Sequence, residues 1–158
     1  MPEQDSPWYE RIVLPALLRH ARAVYGAAMR QALAEAGYDD IPKNGLYVIG
    51  GLALGAGGVP LSQLIRELGV SKQSAGQLVD TLVLRGYLAR EVDSEDRRRL
   101  TVTLTERGQA AASVQAAARA RIDAALAAVV DAQDLRRTRR TLGALIEIGR
   151  DEKVPVQH

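Results

Sequence analysis

The chain has no cysteine and no phenylalanine. Without a thiol there is no disulfide, no thiolate metal ligand, no cysteine nucleophile and no thiol-based redox sensing. Histidine occurs twice, as His20 and His158. One internal imidazole argues against a histidine-rich metal site and against a Ser-His-Asp triad. Aromatic residues make up only 4%, which argues against an RNA surface built on stacked rings. No apolar run approaches the roughly 18 residues needed to span a bilayer. The start, MPEQDSPWYE, is polar and acidic, unlike a secretory signal. These absences point to a cytoplasmic protein with no membrane partner, no metal and no cofactor.

What is present is ordinary for a globular domain: 158 residues, 47% hydrophobic and 25% charged. A chain of about 150 residues buries roughly two thirds of its unfolded surface, so a real core is possible. The length favours one domain with extensions. A net charge of +2 and a pI near 9.1 permit nucleic-acid binding without requiring it.

The periodicity predicts mainly helix. Residues 1–7, with two prolines, read as a frayed start. Residues 8–36 read as one long helix, with Pro15 expected to kink or restart it and Gly37 to stop it. An apolar helix follows over 44–54, then a turn-rich loop, Gly55–Pro60. Short helices are expected over 61–68 and 71–85, with Gly69-Val70 between them, Ser71 as an N-cap and Gly86 as the stop. The period then changes to two. Leu88, Arg90 and Val92 alternate with Ala89 and Glu91, and Leu100, Val102 and Leu104 alternate with Thr101 and Thr103. That pattern predicts a two-stranded antiparallel hairpin with one apolar face and a charged loop, Asp93–Arg99. Thr105 can cap an alanine-rich helix to about 130, and Asp131 or Asp134 a final helix to about 149, before a loose tail.

Helix, tight turn, helix is helix-turn-helix grammar, in which the second helix enters the DNA major groove. On the helical wheel Ala75, Leu78, Val79 and Leu82 face inward, and Gln73, Gln77 and Asp80 face outward. Glutamine can pair bidentately with adenine. Ser71, Lys72 and Ser74 flank the outer arc in the first turn and suit phosphate or guanine. Any amphipathic helix has a solvated polar arc, so the following hairpin matters. Its loop carries Arg97, Arg98 and Arg99, and arginine enters narrow A·T minor grooves. Asp93, Glu95 and Asp96 fit as partners that orient those guanidinium groups. The cluster Arg136, Arg137, Arg139 and Arg140 reads as a solvated helix face.

The stretch Leu61–Gly108 resembles the winged helix-turn-helix of the MarR family of bacterial transcription regulators. The D-x-x-D-R-R wing signature is present as Asp93, Asp96, Arg97 and Arg98, and the L-T-x-x-G that follows it as Leu104, Thr105 and Gly108. Val83 and Leu84 stand where the family commonly has charged residues, and Pro60 where it commonly has a capping hydroxyl. The resemblance implies a single chain, 1–158, with a DNA-binding lobe over 44–108 and dimerisation helices over 8–36 and 106–149. It implies a homodimeric regulator, a repressor, on double-stranded DNA, with Arg98 in the minor groove. Two recognition helices one DNA turn apart would call for a palindromic operator. The small side chains of Ala110–Val130 would let dimer helices approach closely. The resemblance also implies a small aromatic or anionic effector bound between the dimer helices and the DNA-binding lobe, with His20, Tyr25 and Tyr47 as candidate pocket residues.

An enzyme is not expected. The glycines of Gly50–Gly58 lack the Lys-Ser/Thr of a phosphate loop and follow no strand. The carboxylates of the wing lie among arginines, a poor place to raise a pKa. The alternative function is a winged-helix protein-interaction module without specific DNA binding, since fold does not fix function.

Overall fold

The computed structural model describes residues 6–55 and 59–151. Most of the expected frayed start and loose tail, and the middle of the glycine loop, lie outside the described residues. Trp8–Arg11 form a short 3-10 turn, and α1 (Leu14–Glu35) begins after it. The single helix expected over 8–36 is therefore interrupted at Ile12 and Val13. Pro15 lies in the first turn of α1, where its missing N–H breaks no helical bond.

Helix α2 (Gly45–Leu54) is apolar on nearly all sides and buries Leu46, Val48, Ile49 and Leu52. It sits between α1, the sheet and the later helices, as an apolar helix must. The next two helices are α3 (Leu61–Leu68) and α4 (Lys72–Leu84). Gly69, between them, has φ 64°, a left-handed conformation that glycine adopts without a Cβ clash. Ala75, Val79 and Leu82 are fully buried and Leu78 half-buried, so the inward arc of α4 is the one expected. Helix α4 ends at Leu84, whose side chain is 87% exposed.

The hairpin consists of β2 (Leu88–Val92) and β3 (Leu100–Leu104), with Leu88 opposite Leu104, Arg90 opposite Val102 and Val92 opposite Leu100. It belongs to a three-stranded sheet. The strand β1 (Val59–Pro60), from the end of the expected loop, pairs with Val102 and Thr101 of β3, giving the order β1-β3-β2. A two-residue strand has no periodicity to read, and proline is tolerated because β1 is an edge. The apolar face is covered only at its base. Leu88 and Val102 are buried, whereas Val92 and Leu100 are 58% and 42% exposed. The wing thus projects beyond the core.

The L-T-x-x-G segment joins the wing to α5 (Glu106–Ala127). Thr105 donates its backbone N–H to the Tyr87 carbonyl at 3.1 Å, and its hydroxyl oxygen accepts from Gly108 N–H at 3.1 Å. A Cβ on Gly108 would stand 2.1 Å from the Tyr87 carbonyl oxygen. Only glycine lets the first turn of α5 approach the wing this closely. Further along, α5 lies against α1 and α2, with Ala111, Ala112 and Ala118 buried. Gln115, also buried, donates to the Leu46 carbonyl at 2.8 Å. Helix α6 (Ala132–Asp151) is capped by Asp131, whose carboxylate accepts from Asp134 N–H at 2.7 Å. No residue of α6 is buried, and Leu145, Ile146 and Ile148 are exposed. No described helix is long and apolar enough to cross a membrane.

Candidate nucleic-acid interface

The first turn of α4 is held open to solvent by its own cap. Ser71 Oγ accepts from Ser74 N–H at 3.1 Å and donates to Ser74 Oγ at 2.9 Å. The Ser71 hydroxyl is thus spent on the helix end, while the Ser74 hydroxyl keeps its proton for another acceptor. Ser71, Lys72, Gln73, Ser74 and Gln77 are all exposed. Gln73 and Gln77 share one outer face, one helical turn apart. Asp80, on the same side, is held in an ion pair by Arg90 of β2.

The wing tip presents Arg97, Arg98 and Arg99, all exposed. Its acids work differently from the expected fork. Asp93 accepts from the backbone N–H of Glu95 at 2.9 Å, and Asp96 from that of Arg98 at 3.0 Å. These are Asx turns, in which a carboxylate replaces a backbone carbonyl and sets the loop. Backbone bonds from Asp93 N–H to the Arg99 carbonyl and from Arg99 N–H to the Asp96 carbonyl close the tip. Among the described residues no ion pair joins the wing acids to the wing arginines. Asp93 and Asp96 therefore shape the backbone that carries the arginines, leaving the guanidinium groups free for an outside anion.

The two surfaces meet. A groove of about 470 Å³ between α3, the start of α4 and the wing is lined by Ser62, Arg66, Lys72, Arg98, Arg99 and Leu100, among others. It joins Lys72 to two of the three wing arginines and adds Arg66. Nothing in the sequence marked Arg66, an ordinary charge on a short helix. Four cations around one open groove attract a phosphate chain. Arg97 and the glutamines lie outside this lining.

The three residues proposed for an effector pocket do not share one cavity. Tyr47 lines a cleft of about 620 Å³, with Arg22, Lys43, Asn44, Ser74 and Leu78 also in its wall. The Arg22 guanidinium lies over the Tyr47 ring, 4.1 Å from its centroid. His20 lines a separate apolar cleft with Trp8, Ile12 and Val24. Tyr25 donates to Asp123 of α5 at 2.5 Å, and this bond raises its pKa. Spacing along one helix placed His20 and Tyr25 near each other but could not show which neighbours each would meet.

Residues 45–99, from α2 through the wing tip, match the model of the MarR family. The winged helix is thus similar to the domain of that family. Among curated proteins no relative matches the sequence. Solved structures share the whole architecture at low identity. FabT of Streptococcus pneumoniae in complex with DNA is 19% identical, with a TM-score of 0.74 over 90% of this chain and 98% of that one. A MarR transcriptional regulator from Methanosarcina mazei Go1 is 20% identical, with a TM-score of 0.69 over 87% and 98%. The PcaV regulator from Streptomyces coelicolor, with its natural ligand, is 17% identical, with a TM-score of 0.64 over 85% and 89%. The likeness in fold thus extends beyond the matched segment to α1, α5 and α6.

Proposed function

We propose that the chain is a sequence-specific DNA-binding regulator that acts as a homodimer on a palindromic operator. The observation that carries this is the cationic groove: Lys72 at the start of α4 and Arg98 and Arg99 on the wing line one surface. Beside it stand the exposed Gln73 and Gln77. Lys72, Ser71 and Ser74 suit phosphate or guanine, the glutamines suit adenine, and Arg98 suits the minor groove, with Arg97 and Arg99 beside it. The DNA-bound FabT structure supports the same use of this fold.

The lobe over 44–108 carries that surface, and the segments 8–36 and 106–149 supply the dimer. Helix α6 leaves Leu145, Ile146 and Ile148 exposed, as does the start of α1 at Leu14 and its cap Val13. A second copy covering them is the economical explanation. Repression follows if the operator overlaps a promoter. A small aromatic or anionic effector fits the cleft beside Tyr47, where Arg22 and Lys43 suit an anion and the ring suits an aromatic plane. That cleft includes Ser74 and Leu78 of α4, so an occupant would bias the position of the recognition helix. The ligand-bound PcaV structure supports an effector of some kind.

The direct test is Arg98→Ala. Operator affinity should fall strongly with the dimer intact, and the slope of log affinity against log salt should shrink by about 1 if a phosphate contact is lost with it. Unchanged affinity would remove the wing from the interface.

A further inference from the structure

The connector between α1 and α2 is tied to three distant parts of the domain through a single residue. The Asp40 carbonyl accepts from the guanidinium of Arg85, which caps the C-terminal end of α4. The Asp40 carboxylate accepts from the Tyr87 hydroxyl, at the base of the wing. It also accepts from Arg107, in the first turn of α5, at 3.3 Å. Arg107 donates to the Tyr87 hydroxyl as well, at 3.0 Å. Its guanidinium lies over the rings of Tyr87 and Tyr38, 4.6 and 5.4 Å from their centroids. Tyr38 meets Tyr87 edge to face, with centroids 6.1 Å apart.

This cluster is rigid for physical reasons. Tyr87 is fully buried, so its ring cannot move without opening the core. Burial and the Asp40 acceptor push its phenol up to about 12, and it therefore remains a donor at neutral pH. The Tyr87 hydrogen bond and the nearby Arg107 hold Asp40 below the usual carboxylate range, so it remains an acceptor. On its other side the same connector supplies Pro42, Lys43 and Asn44 to the cleft beside Tyr47. The chain thus touches that cleft two residues after it grips the end of α4 and the base of the wing.

We infer that Asp40 is a positioning residue: its carboxylate locks the base of the wing and the first turn of α5 to the α1–α2 connector, and so sets the angle of the wing to α1. Its effect on DNA rests on the DNA-binding reading above, but the lock itself does not.

Two measurements test it. The first is operator affinity across a salt series, with circular dichroism melts to establish folding. Asp40→Ala should weaken binding about tenfold, within the usual range of coupling between sites. The salt slope should stay at the wild-type value, because no phosphate contact is lost. Tyr87→Phe, which keeps the buried ring, should weaken binding similarly, and the double variant no further than either single one. Asp40→Asn, whose amide oxygen still accepts from Tyr87, should recover most of the loss. Wild-type affinity in a folded Asp40→Ala protein, or additive losses, would overturn the lock. The second needs no DNA. Because the chain lacks cysteine, spin labels can be placed through Gln31→Cys on α1 and Ser94→Cys on the wing, diluted into unlabelled protein. The α1-to-wing distance distribution should broaden when Asp40→Ala is added. An unchanged width would overturn the lock, and broadening in a protein that binds no DNA would leave the lock standing and remove the DNA-binding reading.

Discussion

Arg90 on β2 holds the Asp80 carboxylate on the outer side of α4, tying that helix to the first strand of the hairpin. The pair is partly exposed, with 34% and 63% of the two side chains open to solvent, so it adds little to folding stability. On the DNA-binding reading proposed above, its effect falls on binding. A carboxylate facing DNA repels phosphate unless a cation accompanies it.

Arg90→Ala should therefore reduce operator affinity severalfold while the melting temperature changes little. Asp80→Asn in the same background should restore binding, because the unpaired charge is gone. Equal affinity of Arg90→Ala and wild type, measured by anisotropy at low salt, would show that Asp80 lies away from the DNA.

Gln73 is exposed in the first turn of α4, the turn proposed to meet base edges. Gln73→Ala should relax selection at one operator position by about 1–3 kcal/mol. Competition with single-base operator variants reads this directly. A uniform loss on every sequence would make Gln73 a backbone contact instead.

Gly108 marks the tightest contact in the wing junction. Gly108→Ala places a Cβ 2.1 Å from the Tyr87 carbonyl, so the start of α5 must shift. The expected cost is about 3 kcal/mol, the upper part of the usual overpacking range. Urea unfolding would show it as a lower midpoint, and a midpoint equal to wild type would contradict the packing described.

Alkaline pH should weaken the fold through Tyr87. Burial pushes its phenol from near 10 in the free state up to about 12 in the folded protein. The folded state thus keeps the proton where the unfolded chain has lost it. This stabilisation is complete below pH 10 and disappears as pH rises through 12. Unfolding free energy measured across that window should fall more steeply for wild type than for Tyr87→Phe. Parallel curves would mean that Tyr87 has no raised pKa.

Much of the winged helix was legible because its signals are local. The inward arc of α4 follows the helical period, and the β2–β3 hairpin follows the period of two. The caps Ser71, Thr105 and Asp131 act within three residues of themselves. What stayed hidden depends on distance in sequence or on a choice among local partners. Asp40 bonds to residues 45, 47 and 67 positions away, and no spacing rule reaches that far. The D-x-x-D-R-R motif was visible, but its acids could bond to guanidinium groups or to backbone N–H groups. The loop closed on the backbone because an Asx turn needs only two residues. Strand β1 was too short to carry a pattern. The three residues read as one pocket also separate: Tyr47 lines the cleft proposed for an effector, His20 lines another, and Tyr25 bonds to Asp123.

The measurement that bears most directly on function is fluorescence anisotropy of the wild-type protein on two DNA probes across a salt series. One probe is the intergenic DNA beside its own gene, and the other is a scrambled sequence of equal length. An operator-binding regulator should bind the first tightly and the second weakly, with affinity falling steeply as salt rises. No binding to either probe at low salt would contradict the DNA-binding role and point to a protein partner for the winged helix.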